Sequence, residues 1–67
     1  MAKIQLNGKK IKVSKDINIE DIIKKYRLDE KKIAIELNGV ILPKKFYSKK
    51  KIKNKDSIEI VQFIGGG

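Results

Sequence analysis

The chain contains no cysteine, no histidine and no tryptophan, and only one proline and four aromatic residues. Without cysteine there are no disulfide staples and no thiol redox chemistry. Without cysteine and histidine together, the usual zinc sites and imidazole acid–base catalysis are excluded. Carboxylates are scarce as well, eight against seventeen lysines and arginines, for a formal net charge of +9. Long apolar runs are missing. The opening MAKIQLNGKK has none, which argues against a secretory signal or a membrane-spanning helix and points to the cytoplasm.

What is present is aliphatic and small. Sixty-seven residues make one domain, and a chain of this size buries only about 60% of the surface it exposes when unfolded. There is little room for an enclosed catalytic cleft, so a carrier, binding module or adaptor fits better than an enzyme. Neither a catalytic residue nor a metal site is assigned. The basic charge comes from sixteen lysines and one arginine, and reads as a lysine-coated surface. Nucleic-acid readers use arginine for bidentate contacts and aromatics for stacking. Tyr26, Phe46, Tyr47 and Phe63 make no basic–aromatic series.

Ile4 and Leu6 alternate with polar neighbours, as do Ile11 and Val13 after Asn7-Gly8, which predicts a β-hairpin with a tight turn. The period changes at Asn18. Ile19, Ile22, Ile23 and Tyr26 fall on one helical stripe, with Asn18 as N-cap, Glu20 and Asp21 in the first turn, and Lys24, Lys25 and Arg27 in the last. Ile33, Ile35 and Leu37 form a third strand. Asn38-Gly39 then turns into the short strand Val40-Ile41-Leu42, ended by Pro43 and therefore at an edge. The lysine-rich stretch from Lys44 to Lys55 is irregular, with Phe46, Tyr47 and Ile52 as expected anchors beneath it. The final strand, SIEIVQF, is apolar on both faces near its end. It is either a central strand partly covered on its second side, or it displays Val61 and Phe63 for docking.

One helix among five short strands predicts an α+β fold, a mixed five-stranded sheet wrapped over one main helix in the β-grasp arrangement, with first and last strands side by side. Residues 1–64 would form the domain and residues 65–67 a flexible tail. Three glycines carry no side-chain bulk and maximal backbone freedom. From Ile64 to Gly67 such a tail reaches roughly 13 Å, enough to thread a tunnel and present the Gly67 carboxylate to another protein's active site.

The hairpin QLNGK, the helix IEDIIKKY, the segment ELNGVILPKKFY and the ending DSIEIVQFIGGG resemble, end to end, the ThiS family of sulfur carriers of bacterial thiamine biosynthesis. That family belongs to the sulfur-carrier branch of ubiquitin-like proteins. The resemblance implies that an E1-like, ThiF-like enzyme adenylates Gly67 with ATP and magnesium. A cysteine desulfurase then supplies sulfur for a thiocarboxylate, and a ThiG-like thiazole synthase accepts it. The carrier would bind no cofactor. Gly65 and Gly66 would form the tail, and Val61, Phe63 and Ile64 would dock partners. One departure is Lys55 before Asp56, where the family commonly has glycine; Asn54 is expected to take the left-handed conformation instead. Three alternatives stay open: a MoaD-like carrier for molybdopterin, a ubiquitin-like protein modifier, and an RNA-binding module using the Lys44–Lys55 cluster.

Overall fold

The computed structural model describes residues 1–63. Strands β1 (Ala2–Leu6) and β2 (Lys9–Val13) pair antiparallel from Ala2↔Val13 to Leu6↔Lys9. Asn7 and Gly8 make the turn at φ +51° and +82°, the two successive left-handed residues that a two-residue hairpin requires. Helix α1 (Ile19–Lys25) opens on a capping box: the Asn18 side chain accepts from the Asp21 amide, and Asp21 accepts from the Asn18 amide. It closes earlier than its apolar stripe suggests. Arg27 adopts φ +54°, its amide donates to the Lys24 carbonyl, and the Leu28 amide donates to Ile23. This is a Schellman closure with arginine where glycine is usual. Arg27 therefore lies beyond the helix, and Tyr26, expected on the buried stripe, caps the end and stays 43% exposed.

A 3-10 turn (Glu30–Lys32) leads into β3 (Ile33–Leu37), and Asn38-Gly39 turns at φ +53° and +83° into β4. Strand β4 is only Val40–Ile41, so Leu42 falls outside it, and it sits at an edge as Pro43 demands. A second 3-10 turn (Lys44–Phe46) precedes the loop to β5 (Ser57–Gln62). The sheet order is β2-β1-β5-β3-β4, with β1 and β5 parallel neighbours and β5 in the middle. This is the expected mixed β-grasp sheet over one helix.

The core lies between α1 and one face of the sheet. Ile19 and Ile22 from the helix meet Ile4, Ile33, Ile35 and Ile58, all 2% exposed or less. Within the lysine-rich segment Tyr47 and Ile52 are buried as expected, but Phe46 is 41% exposed. The 3-10 turn aims Tyr47 inward, where its carbonyl accepts from the Glu20 amide at 2.9 Å. Phe46 is left outside, with the Lys45 ammonium 5.3 Å from its ring centre. Among the described residues no helix is long and apolar enough to cross a membrane.

Candidate functional site

The site is built on the central strand. β5 pairs with β3 along nearly its whole length, from Leu37↔Ile58 to Ile33↔Gln62, but with β1 only at Gln5↔Ser57 and Leu6↔Ile58. Past Ile58 the first strand has ended, and the outer half of β5 would lose a row of ladder bonds on that side. Asn7 fills the gap. Its side-chain oxygen accepts from the Ile60 amide at 2.7 Å, and its own amide donates to the Ile58 carbonyl at 2.9 Å. Asn38 does the same at the strand's start. It accepts from the Ser57 amide at 2.8 Å, donates its backbone amide to the Ser57 carbonyl at 2.7 Å, and binds Asp56 Oδ1 through Nδ2 at 3.0 Å. The asparagine of each Asn-Gly turn thus shapes a hairpin and also clamps β5.

Alternation sorts the side chains of β5. Ile58 is fully buried and Ile60 half-buried against the helix side, while Glu59 and Val61 stand on the opposite, open face. Val61, beside Ala34 of β3, is 52% exposed, and Phe63 just past the strand is 55% exposed. Of the two readings of the strand's double-sided apolarity, β5 is central in the sheet, but nothing among the described residues covers Val61 or Phe63. Phe63 is fixed by its backbone, its amide donating to the Lys32 carbonyl at 2.8 Å, so the chain leaves the sheet beside the start of β3. On the helix side of this end, half-buried Leu6, Ile11, Leu28 and Ile60 border an open groove with Tyr26.

The structure therefore brings Val61 and Phe63 together at the exit of the chain. Ile64, Gly65, Gly66 and Gly67 lie outside the described residues. Contrary to the expectation from sequence, Asn54 does not take the left-handed position before Asp56. Lys55 does, at φ +73°, because the Asn54 side chain is engaged as acceptor for the Lys3 amide at 2.8 Å, while the Lys55 amide donates to the Lys3 carbonyl at 2.7 Å. Sequence alone marks Asn7 and Asn38 only as turn formers. Their second role follows from the position of β5 between the hairpins, which local sequence does not show.

One α-helix gripped by a five-stranded mixed sheet whose other face is open, with exposed Val61 and Phe63 at the far end of its central strand, defines a small ubiquitin-like β-grasp protein. Comparison narrows the class: the chain belongs to the ThiS family, whose sequence model matches residues 3–67. It is 42% identical over 65 residues to the sulfur carrier protein ThiS of Bacillus subtilis, covering 96% of this chain and 98% of that protein. It is 35% identical to thiazole synthase of Paramagnetospirillum magneticum, covering 97% of this chain but only 20% of that protein. The crystal structure of a thiamine biosynthesis protein (ThiS) from Geobacter metallireducens superimposes with a TM-score of 0.82 at 25% identity, covering 97% of this chain and 99% of that one.

Proposed function

We propose that this protein is a sulfur carrier for the thiazole ring of thiamine and that Gly67 holds the sulfur. The observation that carries the reading is the family match through residue 67, which takes in the glycine end as well as the domain. The near end-to-end likeness to a sulfur carrier supports it. The match to a fifth of a thiazole synthase supports the destination, since it places a segment like this one within the same polypeptide as the expected acceptor.

The chemistry follows from the weakness of a carboxylate as an electrophile. In the active site of an E1-like enzyme, with ATP and magnesium, a Gly67 carboxylate oxygen attacks the α-phosphorus. Pyrophosphate leaves, and an acyl adenylate forms. The terminal sulfur of an enzyme persulfide, loaded by a cysteine desulfurase, attacks the acyl carbon and expels AMP, giving an acyl disulfide. A second thiol attacks the enzyme-side sulfur and loses its proton. An enzyme disulfide forms, and the Gly67 thiocarboxylate departs with the electron pair. Thiazole synthase then takes the sulfur. Apart from the Gly67 carboxylate itself, the carrier supplies no acid, base or cofactor. Its tasks are to dock through the open face around Val61 and Phe63, with Ile64, and to extend Gly65–Gly67 into the partner's site. Dependence on ATP suits a cytoplasmic setting.

Complementation tests the assignment. In a bacterium lacking its own thiazole sulfur carrier, this chain is expected to restore growth without added thiazole, and a variant ending at Gly65 is not. Rescue of a molybdopterin-deficient strain instead, with no effect on the thiazole requirement, would refute the thiazole destination.

A further inference from the structure

The open face of the sheet carries its charge in two separated poles. On β1 and β2, Lys3 lies directly across from Lys12, and Lys10 across from Gln5. Lys55 joins them, tied by its amide to the Lys3 carbonyl and held in the left-handed region. All four ammonium groups are exposed, and the four residues line one shallow concavity with Gln5 and Ser57. On the other side of the sheet centre, Glu59 lies directly across from Glu36, in the row next to Val61 and Ala34.

Like charges directly opposite on neighbouring strands are unfavourable, and here the face holds one such pair of each sign. They do not relieve one another. The two pairs are about two strand spacings apart across the sheet and four residues apart along it, on the order of 16 Å. That is beyond the screening length of about 8 Å at physiological salt. Among the described residues the ion pair present is Lys24–Glu20, on the helix. The free protein therefore carries two uncompensated repulsions on the face that also displays Val61.

We infer that the open face selects its partner by charge: a protein surface that sets a carboxylate cluster over Lys3, Lys10, Lys12 and Lys55 and a cationic side chain over Glu36 and Glu59. Such a surface relieves both repulsions on contact and leaves Val61 in dry packing beside the second pole. A nucleic acid fits poorly, because its phosphates would meet Glu36 and Glu59 on the same face, and the chain's one arginine, Arg27, lies just beyond α1. The inference rests on the carrier reading, since the partner it describes is the E1-like enzyme that receives Gly67.

Lys12→Glu is the telling variant, because it turns the Lys3–Lys12 repulsion into a cross-strand attraction. Its urea midpoint is expected to rise. With the cognate E1-like enzyme and magnesium-ATP, kcat/KM for pyrophosphate release is expected to fall about tenfold at low salt, mainly through KM, and the deficit to shrink at high salt. The double variant Lys44→Glu/Lys45→Glu, in the 3-10 turn that ties Tyr47 to the start of α1 and outside the lysine concavity, changes the net charge more and is expected to stay within about twofold. Equal activation of wild type and Lys12→Glu overturns the inference. So does tight, salt-sensitive binding of a single-stranded RNA 20-mer that Lys12→Glu abolishes while activation is unaffected. If the wild type is never activated, the carrier reading fails and takes this inference with it; if the wild type is activated and only the charge dependence is missing, the carrier reading stands alone.

Discussion

Replacing Asn7 by glycine should loosen the central strand without disturbing the hairpin that Asn7 belongs to. Glycine accepts the +51° φ that Asn7 adopts, so the turn survives. What disappears is the acceptor for the Ile60 amide. A neutral hydrogen bond contributes about 0.5–1.5 kcal/mol net, and a buried amide left unpaired costs about 1–3 kcal/mol. Ile60 is half-buried, so its amide falls between these cases, near 1–2 kcal/mol. Glycine adds about 0.5–1 kcal/mol of backbone entropy, and relief of the left-handed conformation returns a similar amount. The net loss is about 1–2 kcal/mol, out of a total near 3–10 kcal/mol for a chain of this length. With a urea slope of about 1 kcal/mol/M for so small a domain, the midpoint measured by far-UV circular dichroism moves down by about 1–2 M. Asn7→Asp keeps an acceptor in place and is expected within about 0.5 kcal/mol of wild type. Amide exchange should show Ile60 losing protection in Asn7→Gly and keeping it in Asn7→Asp. If both variants behave as wild type, or both lose stability equally, the side-chain clamp is not what holds this part of β5.

Other consequences can be checked in the same way. Lys55→Gly removes an L-residue from φ +73° and is expected to raise stability by about 0.5–1 kcal/mol in urea titrations. Ile58→Ala empties a position with no exposed surface and is expected to cost about 2–5 kcal/mol, enough to leave the domain marginal in thermal melts. Burial raises the pKa of the Tyr47 phenol above its ordinary value, with Glu30 adding to the effect. The folded state therefore keeps this proton more tightly than the unfolded chain, so stability falls as pH climbs past about 10. Tyr47→Phe should flatten that part of the pH–stability curve. Phe63→Asp is expected to leave the circular dichroism spectrum unchanged and to slow activation of the carrier, since Phe63 is exposed and its fixed group is the backbone amide.

The local structure was legible wherever a few neighbouring residues decide it. Spacing of Ile19, Ile22 and Ile23 behind Asn18 gave the helix and its cap, and the two Asn-Gly pairs gave both hairpins. The limits of each element were less visible, because they depend on atoms far along the chain. Arg27 turns left-handed to satisfy the Lys24 and Ile23 carbonyls, although its charge suits the last turn of a helix. Propensity favours Asn54 over Lys55 for a positive φ, yet the amide of Lys3, 51 positions away, takes the Asn54 side chain. Phe46 and Tyr47 are adjacent aromatics, and which one enters the core is set by a 3-10 turn that has no apolar periodicity. At the candidate site, Val61 and Phe63 could be picked out by alternation alone. The clamps by Asn7 and Asn38, 53 and 19 positions from their partners, and the opposed charges on the open face appear only when strand order and register are known.

The mass of the intact protein tests most directly whether Gly67 carries the sulfur. The intact protein should be incubated with its cognate E1-like enzyme, magnesium-ATP, a cysteine desulfurase, cysteine and a reducing thiol, then weighed by mass spectrometry. The expected result is a gain equal to one oxygen replaced by one sulfur, located by fragmentation at Gly67, and absent when ATP is withheld or when the chain ends at Gly65. An unchanged mass, or sulfur gained anywhere other than Gly67, contradicts it.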